Sequence, residues 1–466
     1  MNKTLSKLSL TIAAAMLVAT PAAQAGPYGY DLHNTLAPAS QGLAGTSIAR
    51  PQDTVSSVFG NPATLTQFTG TQFTFGATFY KPEVKLEHDG SVTGTAFTER
   101  SDTDIFPVPQ IGITQDLRGL NLPATLGLGL TATSGIGTSF RNNSGSLGAG
   151  AEFIVFGVNA GLGYELTNNL SLGAAATVSF AQMDLGLASS SAQTHDIGVR
   201  GTVGLNYDFG DTTTIGGFYQ TKLKHDFDDL IAVEPGNFKS VTIEQPANVG
   251  IGIANNSLMN GDLLLMADFM YKFWSDADFW GDLYNNQKVA SIGAQLTRGS
   301  WKYRIGYAYN DDPTNDGATA PIGSLTQFSN NVGVIPLSPP VIAYLQAAET
   351  EVIYQHRIGL GLGYSGFLMP NLDLDMGGGW QFKNDHQLPP DIPQDLLRLE
   401  MGLLYPDQIL LHIEDISLLS RSPLKGKCYH LKQALLSLDS LPCILHQLLG
   451  QPRLAVDTLH LQEPLT

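Results

Sequence analysis

The chain has 466 residues, of which 14% are charged and 50 are glycine, and its formal net charge at pH 7 is −17. This acidic balance argues against nucleic acid as a partner, which requires a basic face. Both cysteines, Cys428 and Cys443, lie near the C-terminus, so a disulfide framework is excluded for the main body of the chain.

Residues 1–25 have the pattern of a secretory signal peptide. Lys3 and Lys7 precede an apolar run over residues 8–20, and Ala23-Gln24-Ala25 has the small-x-small form of a cleavage site. The apolar run is too short to span a bilayer as a permanent helix. We therefore expect an exported chain whose mature form begins near Gly26.

Residues 26–70 separate the signal from the first predicted strand. They contain Gly42, Gly45 and the break Asn61-Pro62-Ala63, and they have no long apolar face. Glycine and proline allow tight turns in a confined space. We interpret this segment as a hatch that plugs the inside of a barrel, with an ordinary periplasmic linker as the alternative.

From Thr71 onward, apolar side chains alternate with small or polar ones, as in Leu170, Leu172, Ala174 and Ala176. Side chains on a strand alternate between its faces, so each segment has one apolar face. The pattern predicts thirteen strands, near 71–86, 105–116, 124–136, 151–166, 169–182, 196–209, 212–225, 240–254, 262–274, 287–298, 300–310, 351–365 and 371–383.

Three features favour a membrane barrel over a soluble sandwich, which would also alternate. The strands have the length needed to cross a bilayer when tilted. Aromatic residues such as Trp274, Trp301 and Trp380 lie towards strand ends, as in the girdles of lipid-facing barrels. Short and long links alternate, which is typical of periplasmic turns and extracellular loops. The prediction is an all-β transmembrane antiparallel barrel over residues 71–384.

Residues 385–466 depart from this pattern, because glycine becomes rare and leucine dominates. An even strand number requires a fourteenth strand, but none is recognisable after Phe382. Two interpretations of this atypical C-terminal tail stay open. One is a genuine helical extension, and the other, which we favour, is a frameshifted segment foreign to the barrel.

Several of these segments resemble the FadL/TodX family of outer-membrane channels for long-chain fatty acids and other hydrophobic compounds. The similar segments are Gly42-Leu43-Ala44-Gly45, Asn61-Pro62-Ala63, residues 245–252 and residues 301–307. The resemblance covers about residues 26–383. It implies a fourteen-strand barrel with an N-terminal hatch in the outer membrane of a Gram-negative cell.

The resemblance also implies a mode of transport, which is passive diffusion with movement of the hatch N-terminus. A kink in the third strand would open a lateral exit to the bilayer, and Gly135 and Gly137 are the candidates in this sequence. The implied partners are a long-chain fatty acid or other hydrophobic small molecule, outer-membrane lipid and lipopolysaccharide. We expect a monomer.

Four cations fall on the lumen face of the predicted strands: Arg200, Lys302, Arg304 and Arg357. Any of them is able to pair with a fatty-acid carboxylate, and we name them as candidate ligand-binding residues. The favoured alternative is an ion-pair network with lumen carboxylates such as Asp208, Asp262 and Asp268. Loop residues including Phe279, Trp280 and Leu283 form either an apolar landing groove or simple loop packing.

Catalysis finds little support in the sequence. The G-x-G-x-x-G match at 361–366 lies in an alternating strand without a following helix, and no G-x-S-x-G elbow is present. Cys428, His430, Cys443 and His446 do not have a usual zinc spacing. We predict no catalytic residues, no metal and no cofactor, and the alternatives to hydrophobic uptake are a general porin or a surface adhesin barrel.

Overall fold

A computed structural model describes the barrel region of the protein and leaves the signal segment and most of the tail outside. The described residues are 37–80, 82–102, 106–187, 192–234, 237–314, 331–332, 335–336, 338–350, 355–382, 385–386, 397–403 and 409–413. The chain divides into two units, 1–415 and 416–466, and everything below concerns the first. The signal peptide, residues 26–36 and the four Cys and His residues of the tail lie outside the described residues.

Fourteen strands form the wall, and they are numbered β1 to β14 in chain order. Their bounds are Thr71–Tyr80, Phe106–Asp116, Ala124–Ser139, Gly150–Glu165, Leu170–Gly186, Ala192–Phe209, Thr213–Gln220, Asn248–Leu258, Leu263–Lys272, Gln287–Arg298, Trp301–Asn310, His356–Tyr364, Leu372–Gln381 and Ile409–Ile413.

Each wall strand pairs antiparallel with its neighbours in chain order, from β1 to β14. β14 then pairs with β1, with Ile413 opposite Phe73. The sheet therefore closes on itself, and each described wall strand is paired on both sides over at least part of its length. The predicted all-β antiparallel barrel is confirmed.

β14 is the strand that the sequence did not reveal. It lies inside the leucine-rich segment 385–466, which we had set apart from the barrel. Its five residues, ILLHI, pair with Leu372–Met376 on one side and Phe73–Ala77 on the other. A segment of five residues with one polar side chain, His412, is too short to carry a period-two signal.

With the exception of link 187–191, the links between strands are short at one end of the barrel and long at the other. The short-turn end has links 117–123, 166–169, 210–212, 259–262, 299–300 and 365–371. Its tight turns use left-handed residues, including Asn121 (φ 61°) and Gly299 (φ 59°). The loop end has links 81–105, 140–149, 187–191, 221–247, 273–286, 311–355 and 382–408. This asymmetry is the one expected of periplasmic turns and extracellular loops.

The outward face of the wall is apolar. Leu172, Val178 and Ile305 are 42%, 51% and 56% exposed, while the intervening Thr177 and Ser179 are buried. Exposed large apolar side chains on a continuous face indicate contact with lipid. Among the described residues, no helix has the length and apolar character needed to cross a membrane.

Three predicted strands are divided in the structure, and the first, 71–86, becomes β1 and the additional strand Pro82–His88. Predicted strand 212–225 becomes β7 and the start of a hairpin, and 240–254 becomes the end of that hairpin and β8. The hairpin strands Leu223–Glu234 and Asn237–Gln245 pair with each other outside the wall sheet. Pro246, which has no backbone N–H for a ladder, separates the hairpin from β8.

The remaining elements are short and lie at the two ends of the barrel. Additional strands are Pro82–His88, Phe97–Arg100, Asn331–Val332, Ile335–Pro336, Asp385–His386 and Leu397–Leu403. The helix of the long loop is Pro339–Leu345, followed by a π-helical turn, Gln346–Thr350. Single 3₁₀ turns are Arg118–Leu120, Ser144–Ser146, Met259–Gly261, Trp274–Asp276 and Trp280–Asp282.

The described part of the hatch segment contains three short helices, Pro38–Gly42, Thr54–Phe59 and the 3₁₀ helix Pro62–Gln67. Asp53 caps the second, accepting the Ser56 N–H at 2.7 Å. Asn61 caps the third, accepting the Ala63 N–H at 3.1 Å. Such N-caps accept backbone N–H groups of the first turn that have no partner within the helix. The third helix can therefore begin only three residues after the second one ends.

Candidate functional site: the barrel interior

Residues 37–68, which we call the hatch, lie inside the ring of strands. The helix Pro38–Gly42 contacts β11, β12 and β13, while Pro62–Gln67 contacts β3 to β7. Contacts with strands on opposite sides of a closed sheet are possible only from within it. The polar hatch side chains Ser40, Asp53, Ser57 and Thr64 are buried and bond to one another, as in Ser57 Oγ to Thr64 Oγ1 at 2.9 Å.

Inward-facing glycines of the wall make room for the hatch backbone. A Cβ atom at Gly173 would lie 2.2 Å from the Ala63 nitrogen, and one at Gly359 would lie 2.1 Å from the Gln41 oxygen. The same holds for Gly306 and Gly377, while Gly204 leaves room for the side chain of Asn61. Real side chains do not approach this closely, so the hatch fits only because these positions carry no side chain.

The wall also holds the hatch through polar side chains. Asp268 on β9 accepts the N–H groups of Ser47 and Ile48 at 2.6 and 2.9 Å. Asn159 on β4 donates to the Val58 carbonyl at 2.6 Å. In addition, the side-chain amide of Asn61 in the hatch donates to the backbone carbonyl of Leu205 on β6 at 3.0 Å. These bonds satisfy buried backbone groups that would otherwise be unpaired.

The predicted hatch residues lie in these contacts. Gly42 faces β12, where a Cβ would meet the Gly361 Cα at 2.8 Å. Gly45 has a left-handed backbone (φ 93°). Asn61, Pro62 and Ala63 all lie against Gly173 and Gly204. Packing against the wall or backbone conformation therefore accounts for the residue type at each of these positions. Their role in transport stays a prediction.

Of the four predicted lumen cations, Arg200 is on β6, whereas Lys302 and Arg304 are on β11 and Arg357 is on the neighbouring β12. Lys302 donates to Asp373 at 2.8 Å. Arg304 pairs with Asp375 and donates to Gln295 at 2.6 Å.

Arg200 donates to Gln220, Thr221 and Pro246 at 2.8, 3.1 and 3.0 Å. Arg357 is buried against Gly379. Their assignment as ligand-binding residues stays a prediction.

The lumen carboxylates that sequence analysis offered as partners have other roles. Asp262 pairs with Arg298 at an exposed turn, Asp208 accepts from Thr214 at 2.7 Å, and Asp268 binds the hatch backbone. The carboxylates that pair with Lys302 and Arg304 are Asp373 and Asp375, both on β13. Sequence analysis placed Asp208, Asp262 and Asp268 inward and did not name Asp373 or Asp375, because only the strand register shows which carboxylate lies beside which cation.

The wall is incomplete between β2 and β3. Their pairing runs from Asp116 opposite Thr125 to Ile111 opposite Leu130 and stops there. The rest of β2, Phe106–Gln110, pairs with β1 alone, and the rest of β3 pairs with β4 alone, among the described residues. Two prolines, Pro107 and Pro109, occupy this part of β2, and proline in sheets is confined to such edges because it has no N–H.

A β-bulge in β3 lies beside this gap. Ala132 and Ser134 pair with consecutive β4 residues, Phe156 and Val155, so Thr133 is an extra residue. A bulge bends its strand and increases the local twist. Gly135 and Gly137, the predicted kink residues, are paired opposite Ile154 and Glu152 beyond the bulge, and their part in a lateral opening stays a prediction.

The loop end of the interior contains a large apolar cluster, which we call the loop-end cluster. It joins the inward faces of β4 and β5 to the hairpin and to the loop after β9. Its members are Ala151, Phe153, Val155, Ala181, Met183, Leu185, Leu223, Phe227, Leu230, Val241, Ile243, Trp274, Ala277, Phe279, Trp280, Leu283 and Tyr284.

Aromatic rings form one side of the loop-end cluster. Trp280 and Tyr284 stack at 5.3 Å between centroids, and Trp274 meets Tyr284 edge-on at 5.5 Å. Phe279 has φ 74°, an uncommon conformation for a bulky residue, of a kind that concentrates at functional sites. The loop residues that the sequence proposed for a landing groove, Phe279, Trp280 and Leu283, are therefore buried in this cluster.

Sequence reasoning missed the wall part of the loop-end cluster. We took the inward face of every strand to be small or polar, but Phe153, Val155 and Met183 face inward. The available signal was the run Phe153-Ile154-Val155-Phe156, in which both strand faces are apolar. Such a run indicates burial on both sides.

Two titratable groups lie close to these loops. His225 of the hairpin shares a hydrogen bond of 2.9 Å with Ser179, and burial lowers the pKa of His225 to about 4. Glu349 follows the loop helix, where burial raises its pKa to about 8, an effect that Arg141 and the Gly150 N–H oppose. No group of three metal-ligating side chains is present within the described ranges.

Comparison with known proteins places the chain among outer-membrane transporters. A family model described as outer membrane protein transport protein (OMPP1/FadL/TodX) matches residues 16–266, which is more than half of the chain. No curated protein sequence matches the chain significantly.

Solved structures share the fold at low sequence identity. The P. putida toluene transporter TodX is 17% identical, with a TM-score of 0.56 over 82% of this chain and 98% of its own. A Pseudomonas aeruginosa FadL homologue is 15% identical, with a TM-score of 0.57 over 82% and 98%. The Ralstonia pickettii toluene transporter TbuX is 17% identical, with a TM-score of 0.53 over 82% and 98%.

Proposed function

Because the chain belongs to the OMPP1/FadL/TodX family of outer membrane transport proteins, we propose that it is a passive uptake channel for hydrophobic compounds, long-chain fatty acids or similar molecules. The family and the fold place the protein in the outer membrane as a β-barrel. The substrate, its route and the movement of the hatch are the parts that we propose.

The loop-end cluster is the proposed entry site. A hydrophobic compound leaves water there for an environment of apolar and aromatic side chains, which is favourable by about 25 cal/mol per Å² of apolar surface buried. The cluster joins wall, hairpin and loop residues, so displacement of the hairpin would open it to the outside.

The hatch makes an axial route through the barrel unfavourable for such a compound. Its backbone fills the space beside the wall glycines, and Asp268 and Asn159 bind it. An apolar molecule gains nothing from continuing into a polar, hydrogen-bonded plug. We propose that it leaves sideways, into the bilayer, where its apolar surface stays out of water.

The observation that carries the proposal is the incomplete pairing of β2 with β3 above a filled lumen. The ladder stops at Ile111 and Leu130, with the Thr133 bulge and two prolines at the place where it stops. A continuous hydrogen-bonded wall would block lateral exit, whereas a gap of this kind permits it. An open pore for polar solutes, the general-porin alternative, needs neither the hatch nor the gap.

Two measurements on the purified protein test the proposal. In a planar bilayer, the hatched barrel is expected to show no steady large ion conductance. In proteoliposomes, it is expected to accelerate the transfer of a hydrophobic fluorophore into the bilayer and to bind that fluorophore saturably. Steady porin-like conductance, or the absence of any saturable hydrophobic ligand, would overturn the proposed function.

A further inference from the structure

We propose that His225 and Gln245 form a polar subsite beside the loop-end cluster, and that this subsite binds a hydroxyl group on an otherwise apolar ligand, such as a phenol or an alkanol. The inference rests on the proposed function, because it gives the proposed entry site a specificity beyond apolar contact. It follows from two fully buried side chains, each with hydrogen-bonding atoms that have no partner within the part of the chain that the structure describes.

The hairpin places both residues on its buried face. Leu223 is paired with Gln245 and His225 with Ile243, so His225 and Gln245 are diagonal neighbours on one face. Diagonal neighbours in an antiparallel pair lie about 7–8 Å apart, a separation that two side chains and one small polar group can bridge. Leu223 and Ile243 both belong to the loop-end cluster, so the two polar side chains lie beside its apolar surface.

The unpartnered atom of His225 is a hydrogen-bond acceptor. Ser179 donates its hydroxyl proton to the Gly198 carbonyl at 3.2 Å and shares a bond of 2.9 Å with His225 Nε2. Because a hydroxyl has one proton, Nε2 carries the hydrogen of the neutral ring and donates it to Ser179. Burial lowers the pKa of His225 to about 4, so the ring is neutral at physiological pH. Its Nδ1 is then an acceptor to which no described residue donates.

The side-chain amide of Gln245 has no hydrogen-bond partner among the described residues, at either its oxygen or its nitrogen, although the side chain is fully buried. The backbone on both sides of it is held in place. The Glu244 N–H donates to the Asp278 carbonyl at 3.2 Å, and the Pro246 carbonyl accepts from Arg200 at 3.0 Å. Unpaired buried amides are costly and rare in native proteins, so a ligand group that pairs with this one is bound favourably.

The wall fixes the position of the His225 ring. A Cβ atom at Gly198 on β6 would lie 2.7 Å from His225 Nε2, so this glycine allows the hairpin to lie directly against the strand. The adjacent Asp226 N–H donates to Asp196 of β6 at 2.8 Å. A ring that is already oriented loses little freedom when a ligand binds, which favours affinity.

A hydroxyl group matches both sets of unpartnered atoms. It donates one hydrogen bond, which His225 Nδ1 accepts, and it accepts another from the amide nitrogen of Gln245. An ether or ketone oxygen only accepts, a carboxylate has no proton to donate, and a hydrocarbon pairs with neither residue. The rest of the ligand packs against the apolar and aromatic side chains of the loop-end cluster.

The binding of three ligands to the full-length protein in detergent tests the inference. Naphthalene, 2-methoxynaphthalene and 2-naphthol share one ring system, and they carry no polar group, an acceptor, and a donor with an acceptor. Their Kd values are measured by displacement of the neutral fluorophore N-phenyl-1-naphthylamine. The partitioning of a ligand into detergent is the same for every protein variant, so it cancels when the ratio of two Kd values is compared between variants.

Two variants remove the polar atoms at nearly constant size, namely His225→Phe and Gln245→Met. The matched control is His195→Phe, at an exposed position of β6. The preference for 2-naphthol over naphthalene is expected to fall about fivefold in each of the two variants, as for the loss of one ordinary hydrogen bond, and to stay at the wild-type value in the control. The preference for 2-methoxynaphthalene over naphthalene should fall in Gln245→Met alone, because the ether has no proton to donate to His225.

Heat-modifiability on a gel checks that the variants are folded. Gln245→Met removes no side-chain hydrogen bond between described residues, so it tests the subsite even where His225→Phe does not fold. An unchanged preference for 2-naphthol in either folded variant would overturn the inference and leave the proposed function intact. Failure of the fluorophore and of all three ligands to bind the wild type would overturn the proposed function instead.

Discussion

The carboxylate of Asp268 accepts the backbone N–H of Ser47 at 2.6 Å, so a single side chain of the wall holds a bend of the hatch. The next N–H, that of Ile48, donates to the same oxygen at 2.9 Å. An intramolecular hydrogen bond contributes about 0.5–1.5 kcal/mol to stability, and loss of this acceptor would leave two N–H groups of the hatch unpaired. Asp268 is therefore a principal tie between plug and barrel.

Removal of this tie is expected to loosen the hatch. Asp268→Ala should raise ion conductance in planar bilayers above the wild-type baseline, while Asp268→Asn, which keeps an oxygen acceptor, should raise it less. Asp262→Ala is the matched control, because Asp262 pairs with Arg298 at an exposed turn. Wild-type conductance in the Asp268→Ala variant would contradict this role.

The glycine positions of the wall predict a second way to displace the hatch. Gly173→Val places side-chain atoms where the Ala63 backbone lies, 2.2 Å from the ideal Cβ, whereas nothing lies within 4 Å of a Cβ at Gly201. Gly173→Val should lower the unfolding temperature and raise conductance, and Gly201→Val should do neither. Thermal unfolding on a heat-modifiability gel and bilayer recordings measure the two effects.

The Arg304–Asp375 pair predicts a non-additive pair of substitutions. Arg304→Met leaves Asp375 buried without its partner, which costs about 3–5 kcal/mol of stability, while Arg304→Met with Asp375→Leu should recover most of that loss. If Arg304 has only this wall role, the double variant should also transport a neutral hydrophobic probe at the wild-type rate. Loss of transport in a stable double variant would instead support ligand binding by Arg304.

Glu349 predicts a pH dependence in the long loop. Its pKa is raised to about 8 by burial, so the docked segment binds a proton that the undocked carboxyl, with an ordinary pKa near 4.5, has lost. Docking is therefore expected to weaken as pH rises from about 4.5 to about 8 and to level off above that. The hydrogen-exchange protection factors of residues 341–350, which correct for the intrinsic rise of amide exchange with pH, should fall across this range in the wild type and stay nearly constant in Glu349→Gln.

The groups around Glu349 act on its pKa in opposite directions. Desolvation and Asp184 favour the protonated form, and Arg141 and the Gly150 N–H favour the ionised form. Tyr344 and Thr138 hold the same segment through bonds of 2.6 Å to Ser146 and Ala348. Those bonds do not titrate near neutral pH, so pH-independent protection factors in the wild type would contradict the role given to Glu349.

Strand positions in the wall could be predicted because period two is a local property. The predicted strand 287–298 agrees with Gln287–Arg298, and 105–116 differs from Phe106–Asp116 by one residue. β14 could not be found, since ILLHI gains its strand character only from pairing with β1 and β13. The break between the hairpin and β8 was marked in the sequence by Pro246, which cannot donate a ladder hydrogen bond.

The interior was less accessible from sequence, because it depends on register and on contacts between distant segments. Alternation placed Arg304 inward, but its partner Asp375 follows from the pairing of β11, β12 and β13. The bulge at Thr133 is likewise a mismatch between two strands, and Thr133 has no sequence feature of its own. The sequence shows that the wall is rich in glycine, but the reason, close approach of the hatch backbone, is visible only in the structure.

The central claim, lateral exit beside β3, is tested most directly by deleting Thr133. The deletion removes the extra residue, so that β3 can run straight and continue its pairing with β2, while Thr133→Ala keeps the bulge and serves as control. Transfer of naphthalene into proteoliposome membranes should fall to the protein-free rate in the deletion variant and stay at the wild-type rate in Thr133→Ala. Undiminished transfer by a folded deletion variant would contradict lateral exit at this site.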